Sequence, residues 1–170
     1  MHMNLKPQDI VVLLKLLVSS KDSYSKLADD LFMSPSEVHA AVKRAALAGL
    51  IDRSSKQVKR VALAEFLIHG LKYAFPPIYG TITRGIPTAH AAPPLVDMIS
   101  GTDGLPPVWP SPEGTVRGYE LKPLYRNVTQ AVRNDQMLYE LLALIDAIRA
   151  GRARERALAK AELNKRLSQK

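Results

Sequence analysis

Residues 34–60 hold the side chains whose types and spacing are best suited to binding another molecule. In a helix that begins at residue 35, positions 38, 42 and 45 share one apolar face. The opposite face then presents short side chains near the helix start and cations one turn later, at Ser36, His39, Ala40, Lys43 and Arg44. Lysine and arginine neutralise phosphates or hydrogen-bond guanine edges, and the backbone N–H groups over residues 34–36 can bind a phosphate. The pattern predicts contact with a polyanion.

Two helices and a tight turn must position this face. Ser34 can act as the N-cap of the second helix, Pro35 suits its first position, and Glu37 completes a capping box. Gly49 stands where a left-handed residue would end that helix. A preceding helix over about residues 23–31 leaves only Phe32 and one further residue before the cap, so the turn must be tight.

A short hairpin is predicted after the second helix. Residues 52–61 follow the apolar pair Leu50-Ile51, and the next helix, over residues 62–75, follows directly, which keeps the hairpin short. The cations that such a hairpin would expose are Arg53, Lys56, Lys59 and Arg60.

This stretch resembles the helix-turn-helix of winged-helix regulators, most closely the MarR-like and ArsR-like types. The resemblance covers about residues 7–75 and is carried by Leu27, Ala28, Leu31, Ser34, Val38, Val42, Gly49, Leu50 and Ile51. It implies that the second helix enters the DNA major groove and that the hairpin, or wing, touches the backbone or the minor groove. The DNA-binding residues that it implies are Ser34, Pro35, Ser36, His39, Ala40, Lys43, Arg44, Arg53, Lys56, Lys59 and Arg60.

Two alanines depart from the family pattern. Ala45 stands where a larger aliphatic residue is usual, and Ala40 where arginine or another base-reading residue is common. We therefore expect modest sequence discrimination from this helix alone. Three alternatives stay open: a helical hairpin in an unrelated core, a winged helix that binds only protein, and a solvated surface role for His39.

The charge of the chain is concentrated at its two ends. Lysine and arginine number 24 against 16 aspartate and glutamate, a formal net charge of +8. Residues 1–60 carry +4, residues 61–122 carry −1, and residues 123–170 carry +5. This excess favours a polyanionic partner. The basic C-terminal helix, over residues 152–167, is expected to present a solvated face, with contact along DNA as the alternative.

The middle of the chain is rich in proline. Ten of the twelve prolines lie between residues 76 and 123, which excludes a long regular element there. Because this stretch also holds many apolar side chains, we expect an irregular segment over residues 76–122 that wraps over a core, with a short hairpin near residues 78–88. Arg84, His90, Trp109 and Arg117 are expected to pin this segment to the core, or alternatively to converge on a ligand or partner peptide.

Several classes of function lack their residues. The absence of cysteine excludes disulfides, thiol catalysis and thiolate metal sites. No histidines stand at ligand spacing, and no phosphate loop, nucleophile elbow or dinucleotide fingerprint occurs. We therefore expect no catalytic residues, no metal and no cofactor. The most apolar stretch, residues 10–18, is too short to span a membrane, which favours the cytoplasm. Residues 1–3 are expected to be a cloning remnant.

These patterns predict a mainly α fold in three regions. Residues 4–75 form the winged helix-turn-helix domain with a short β-wing, residues 76–122 the irregular segment, and residues 123–170 a helical region for dimerisation or core cover. Apolar helices are expected over residues 7–18 and 138–148. The predicted function is a bacterial, cytoplasmic, homodimeric repressor that binds double-stranded DNA. The alternative is a protein-interaction module, such as an antitoxin-like partner of a neighbouring gene product, that binds through residues 76–122 and represses its own gene.

Overall fold

The structure, a computed structural model, describes residues 4–19 and 21–169. The expected cloning remnant lies outside these residues. The fold is α/β: 53% of it is helical, with eight α-helices and a small sheet of three strands in the described part. None of the described helices is long and apolar enough to cross a membrane.

The chain divides into two compact units. Unit 1 comprises Met1–Leu63 and Leu124–Leu138, and unit 2 comprises Ala64–Pro123 and Tyr139–Lys170. The chain therefore leaves unit 1 after Leu63, returns to it at Leu124 and leaves it again after Leu138. Two helices cross these boundaries, α4 at Arg60–His69 and α7 at Gln136–Ala150.

Unit 1 is built around an apolar first helix. Its complete helices are α1 at Pro7–Val18, α2 at Tyr24–Leu31, α3 at Pro35–Leu47 and the short α6 at Val128–Ala131. Every residue of α1 from 9 to 16 is buried, which confirms that this nearly all-round apolar helix is covered on more than one side. Both α2 and α3 pack against α1.

Unit 2 contains the three strands, which correct the irregular segment expected over residues 76–122. They are β1 at Tyr79–Pro87, β2 at Pro107–Pro110 and β3 at Val116–Leu121. Strand β1 is antiparallel to both β2 and β3, and β2 runs parallel to β3, so the three strands close on themselves. The hairpin expected near residues 78–88 is wrong, because this stretch is one strand whose partners come from later in the chain.

Proline and glycine placement explains why the strands form in a proline-rich region. Pro87, Pro107 and Pro110 stand at strand ends, where a missing N–H is tolerated. Gly85 and Gly118 stand where a Cβ would overlap the backbone of a neighbouring segment, so their lack of a side chain permits close approach. The remaining helices of unit 2 are α5 at Leu71–Ala74 and α8 at Ala153–Ser168.

A buried polar network joins the strand region of unit 2 to α7. The Asp146 carboxylate accepts hydrogen bonds from Trp109 Nε1 at 2.7 Å, Thr88 Oγ1 at 2.8 Å and Arg149 Nη1 at 2.8 Å. Burial raises the pKa of Asp146, while Arg149 and the two neutral donors oppose that rise. Arg149 also donates to the carbonyl of Phe75 at 2.8 Å. The network satisfies a carboxylate that would otherwise be costly to bury.

Candidate nucleic-acid interface

The start of α3 is held by reciprocal capping bonds. Ser34 Oγ accepts the Glu37 N–H at 3.2 Å, and Glu37 Oε2 accepts the Ser34 N–H at 2.7 Å, which confirms the predicted capping box. The hydrogen bond from the Ser34 backbone is the largest of the causes that lower the pKa of Glu37. At the other end of α3, Gly49 has φ of +82°, the left-handed conformation predicted for it.

Two residues from far along the chain hold the turn before α3, and sequence reasoning did not find them. Phe32 is in the left-handed region, with φ of +56°, and its carbonyl accepts a hydrogen bond from Asn127 Nδ2 at 2.7 Å. The Tyr125 hydroxyl lies 3.5 Å from Glu37 Oε1. The segment that returns to unit 1 therefore helps to orient the start of α3.

The outward face of α3 presents most of the side chains predicted for it. Side chains at 34, 35, 36, 39 and 43 are exposed, while Ala40 is half-buried. The imidazole of His39 meets the ring of Tyr24 edge-on, with ring centroids 4.9 Å apart. Tyr24 had no signal in the sequence pattern. The exposed face combines the Ser36 hydroxyl near the capped helix start with the His39 imidazole and, about two turns from the start, the Lys43 cation.

Arg44 is the exception, and its predicted exposure is wrong. Its guanidinium donates two hydrogen bonds of 2.8 Å to the carboxylate of Asp9, and both side chains are buried. The Arg44 guanidinium therefore adds no positive charge to the outward face of α3. Its bonds to Asp9 connect α3 to α1 instead. The partner lies 35 positions earlier in the chain, and helical periodicity within α3 carries no information about it.

The segment after α3 folds into a hairpin over residues 51–58. An antiparallel bridge joins Ile51 to Val58, and the Asp52 N–H donates to the carbonyl of Gln57 at 2.8 Å. Within the loop, Asp52 Oδ1 accepts the N–H groups of Ser54 at 3.0 Å and Ser55 at 2.8 Å, together with both hydroxyls. These bonds, led by the one from the Ser55 backbone, lower the pKa of Asp52 to about 2.

Three of the four predicted hairpin cations are exposed. They are Arg53, Lys56 and Lys59, and Lys56 stands at the end of the loop with φ of +59°. Arg60 differs from the prediction, since it is half-buried and begins α4. The 51–58 hairpin and Lys59 therefore present cations on a loop whose backbone is held by its own carboxylate.

The net charge of unit 1 resides outside its buried ion pairs. Unit 1 has twelve basic and seven acidic side chains, an excess of five. The pairs Arg44–Asp9 and Lys15–Asp135 each cancel internally, the second at 2.6 Å. Because each of these two ion pairs joins one basic to one acidic side chain, the excess of five positive charges is carried by the other side chains of unit 1.

The four residues singled out in the middle of the chain do not converge. Trp109 donates to the buried Asp146, and His90 Nδ1 lies 3.6 Å from Glu155 Oε2. Only Arg84 and Arg117 are neighbours, opposite each other on β1 and β3. Among the described residues there is no group of three or more His, Cys, Asp or Glu side chains that could hold a metal ion.

Comparison of the chain with protein-family models, with curated proteins and with solved structures gave no match. The fold shown is thus an α/β arrangement of two units, one of which presents a capped helix and a cationic hairpin.

Proposed function

We propose that unit 1 is a winged helix-turn-helix that binds double-stranded DNA, with α3 as the recognition helix and the 51–58 hairpin as the wing. The observation that carries the proposal is the exposed, capped start of α3, with Ser36, His39 and Lys43 on one outward face. The 51–58 hairpin, which follows α3 in the chain, adds the exposed cations Arg53 and Lys56.

The chemistry of the α3 face suits a major groove. Short side chains at Ser36 and Ala40 let the helix backbone approach the DNA closely, and Lys43 can reach a phosphate or the acceptor edge of guanine. His39 can donate to a base or a phosphate from the position that Tyr24 gives it. At the N-terminal end of α3 the capping box engages the N–H groups of Ser34 and Glu37, and Pro35 has none. The donor offered to a phosphate is therefore the Ser36 N–H, at the positive end of the helix dipole.

The hairpin cations suit phosphates rather than bases. The loop is ordered by the four bonds to Asp52 before any ligand arrives. Less conformational freedom is then lost when Arg53, Lys56 and Lys59 bind the backbone. Phosphate contacts of this kind supply affinity without sequence information.

We further propose a homodimer that represses transcription. Two copies related by a two-fold axis would place two α3 helices about 34 Å apart, one turn of DNA, and would read a palindromic site. Size-exclusion chromatography with light scattering measures the oligomeric state. A monomer at micromolar concentration, both free and on DNA, contradicts the dimer.

The experiment is fluorescence anisotropy with the full chain and a duplex from the region upstream of its own gene, titrated between 50 and 200 mM salt. Lys43→Ala is expected to weaken binding about tenfold and to lower the salt slope by about 1, since one phosphate contact is lost. The matched control is Lys26→Ala, because Lys26 is exposed on α2 and already paired with Asp30 at 3.1 Å. Equal weakening by both variants refutes the assignment of α3.

A further inference from the structure

The face of unit 2 formed by β1 and β3 carries two like-charged and two apolar residues side by side. Ile82 pairs with Tyr119 and Arg84 pairs with Arg117 in the antiparallel register. Residues directly opposite in such a pair project from the same side of the sheet. Ile82 is 45% exposed and Tyr119 47%, and both arginines are exposed. We call these four residues the β1–β3 face.

The pairing of Arg84 with Arg117 lowers the stability of unit 2, because like charges directly opposite on a sheet repel each other. Ile82 and Tyr119 stabilise each other across the strands but leave close to half of their surface in water. The ion pairs within the described part of unit 2 use His90, Arg149 and Arg166, and none of them includes Arg84 or Arg117. The β1–β3 face therefore has the composition of a protein interaction surface.

A groove continues the β1–β3 face. Tyr119 also lines an open groove with Tyr79 and Leu105, where Arg152 and Arg154 at the start of α8 supply two further cations. We call this the tyrosine groove.

The two carboxylates of the tyrosine groove, Asp103 and Glu155, match its two arginines, so the groove is formally neutral when His90 is neutral. Glu155 accepts the Arg152 N–H at 2.9 Å and lies 3.6 Å from His90. The positive excess of the combined surface therefore comes from Arg84 and Arg117 on the β1–β3 face.

Exposed apolar side chains are concentrated in the same part of the chain. Twelve large hydrophobic residues are exposed among the described ones, seven of them within residues 78–119, and four of these seven belong to the β1–β3 face or the tyrosine groove: Tyr79, Ile82, Leu105 and Tyr119. Scattered apolar residues need no explanation, whereas a cluster rimmed by charge is typical of an interaction site. Tyrosine and arginine are also the residues that most often dominate binding energy at protein interfaces.

We propose that the β1–β3 face and the tyrosine groove bind an acidic segment of another protein that carries apolar anchors. The carboxylates of that segment would pair with Arg84, Arg117, Arg152 and Arg154, while its apolar side chains pack on the tyrosines. The proposed recognition uses these side chains rather than strand addition; β1 pairs with β3 between Tyr79 and Gly85 and with β2 from Gly85 to Pro87.

Charge and residue type favour this occupant over two others. A second copy of this chain would bring a unit that is itself net positive against the arginines, with twelve basic and nine acidic side chains. A nucleic acid would use the arginines and tyrosines, but the aliphatic side chains at Ile82 and Leu105 suit apolar anchors better than bases.

The probe is a set of labelled twelve-residue peptides in which aspartate and glutamate alternate with leucine, isoleucine and tyrosine. A matched set replaces each acid by its amide, and a twelve-nucleotide oligo-dT serves as the nucleic-acid probe. Binding to the full chain is followed by anisotropy. Arg117→Glu is expected to weaken the acidic peptides about tenfold, and Tyr119→Ser by a similar factor.

Matched controls separate the proposal from general charge and from the DNA interface. Lys165→Glu makes the same charge change at an exposed position of α8, and Tyr73→Ser removes another exposed tyrosine of unit 2. Neither control, nor Lys43→Ala, is expected to alter peptide binding.

Four results would overturn the proposal: no binding of the acidic peptides, equal binding of the amide set, equal losses in Arg117→Glu and Lys165→Glu, or tighter binding of oligo-dT that Arg117→Glu abolishes. Conversion of a dimer to a monomer by Tyr119→Ser would also overturn it, since the face would then be a self-interface.

Discussion

Replacement of Arg44 by alanine separates a structural role from a DNA-reading role at one position. Arg44 is 9% exposed, and its partner Asp9 is fully buried. Arg44→Ala removes two of the hydrogen bonds to the Asp9 carboxylate and leaves the one from the Lys6 N–H at 2.9 Å. A buried carboxylate that loses its charged partner costs about 3–5 kcal/mol. Lys43→Ala, one residue earlier and exposed, should change stability by less than about 0.5 kcal/mol.

Urea unfolding followed by circular dichroism measures the difference. With an m-value of about 2 kcal/mol/M, Arg44→Ala should lower the midpoint by about 1.5–2.5 M, and Lys43→Ala by less than about 0.3 M. The double variant Asp9→Leu/Arg44→Met replaces the ion pair by apolar side chains and should recover most of the loss.

DNA binding should respond in the opposite order. In conditions where both variants are folded, Lys43→Ala weakens binding and Arg44→Ala leaves affinity within about twofold, because Arg44 does not reach the surface. The reasoning is refuted if Arg44→Ala unfolds at the wild-type midpoint and loses DNA affinity. That outcome would mean that Arg44 reads DNA and that the pair with Asp9 does not hold α3 to α1.

Three further predictions concern a carboxylate, a buried hydroxyl and a glycine. Because folding lowers the pKa of Asp52 from its ordinary 3.8 to about 2, its contribution to hairpin stability is full above about pH 4 and is lost as the pH falls through about 2. Amide exchange of the 51–58 hairpin should follow that course, and Asp52→Ala should show fast exchange already at neutral pH. Thr88→Val removes one donor from buried Asp146 and should cost unit 2 about 1–3 kcal/mol in a urea melt, whereas exposed Thr81→Val should cost less than about 0.5 kcal/mol. Gly49→Ala puts a side chain at φ of +82° and should lower stability by about 1–2 kcal/mol, and an unchanged melting curve would contradict this.

Local signals in the sequence predicted local structure well. The Ser34 cap and the left-handed Gly49 depend on residues within a few positions, and the structure confirms both. The burial of the first helix could also be predicted, because it follows from the apolar side chains of that helix itself. The resemblance to winged-helix regulators stays a prediction, as do the DNA-contacting roles.

Long-range partners could not be predicted from such patterns. Arg44 pairs with Asp9 across 35 positions, and β1 finds its partners only from residue 107 onwards. The spacing of a lysine or arginine along a helix does not indicate whether its side chain reaches solvent or pairs with a buried carboxylate. The density of prolines predicts an irregular segment, but Pro87 and Pro107 lie at strand ends, where a missing N–H group is tolerated.

The discontinuity of unit 1 has a consequence for the order in which the chain can fold during synthesis. Asn127 fastens the turn at Phe32, and Asp135 pairs with the buried ammonium of Lys15 across 120 positions. A ribosome that has made the first 123 residues has produced all of α1, α2 and α3 but neither of these fastenings. Until the returning segment has been made, the Lys15 ammonium keeps its 3.6 Å contact with Asp30 of α2 but lacks the shorter, 2.6 Å contact with Asp135. Contacts so distant along the chain slow folding, and they make the returning segment the last part of unit 1 to form.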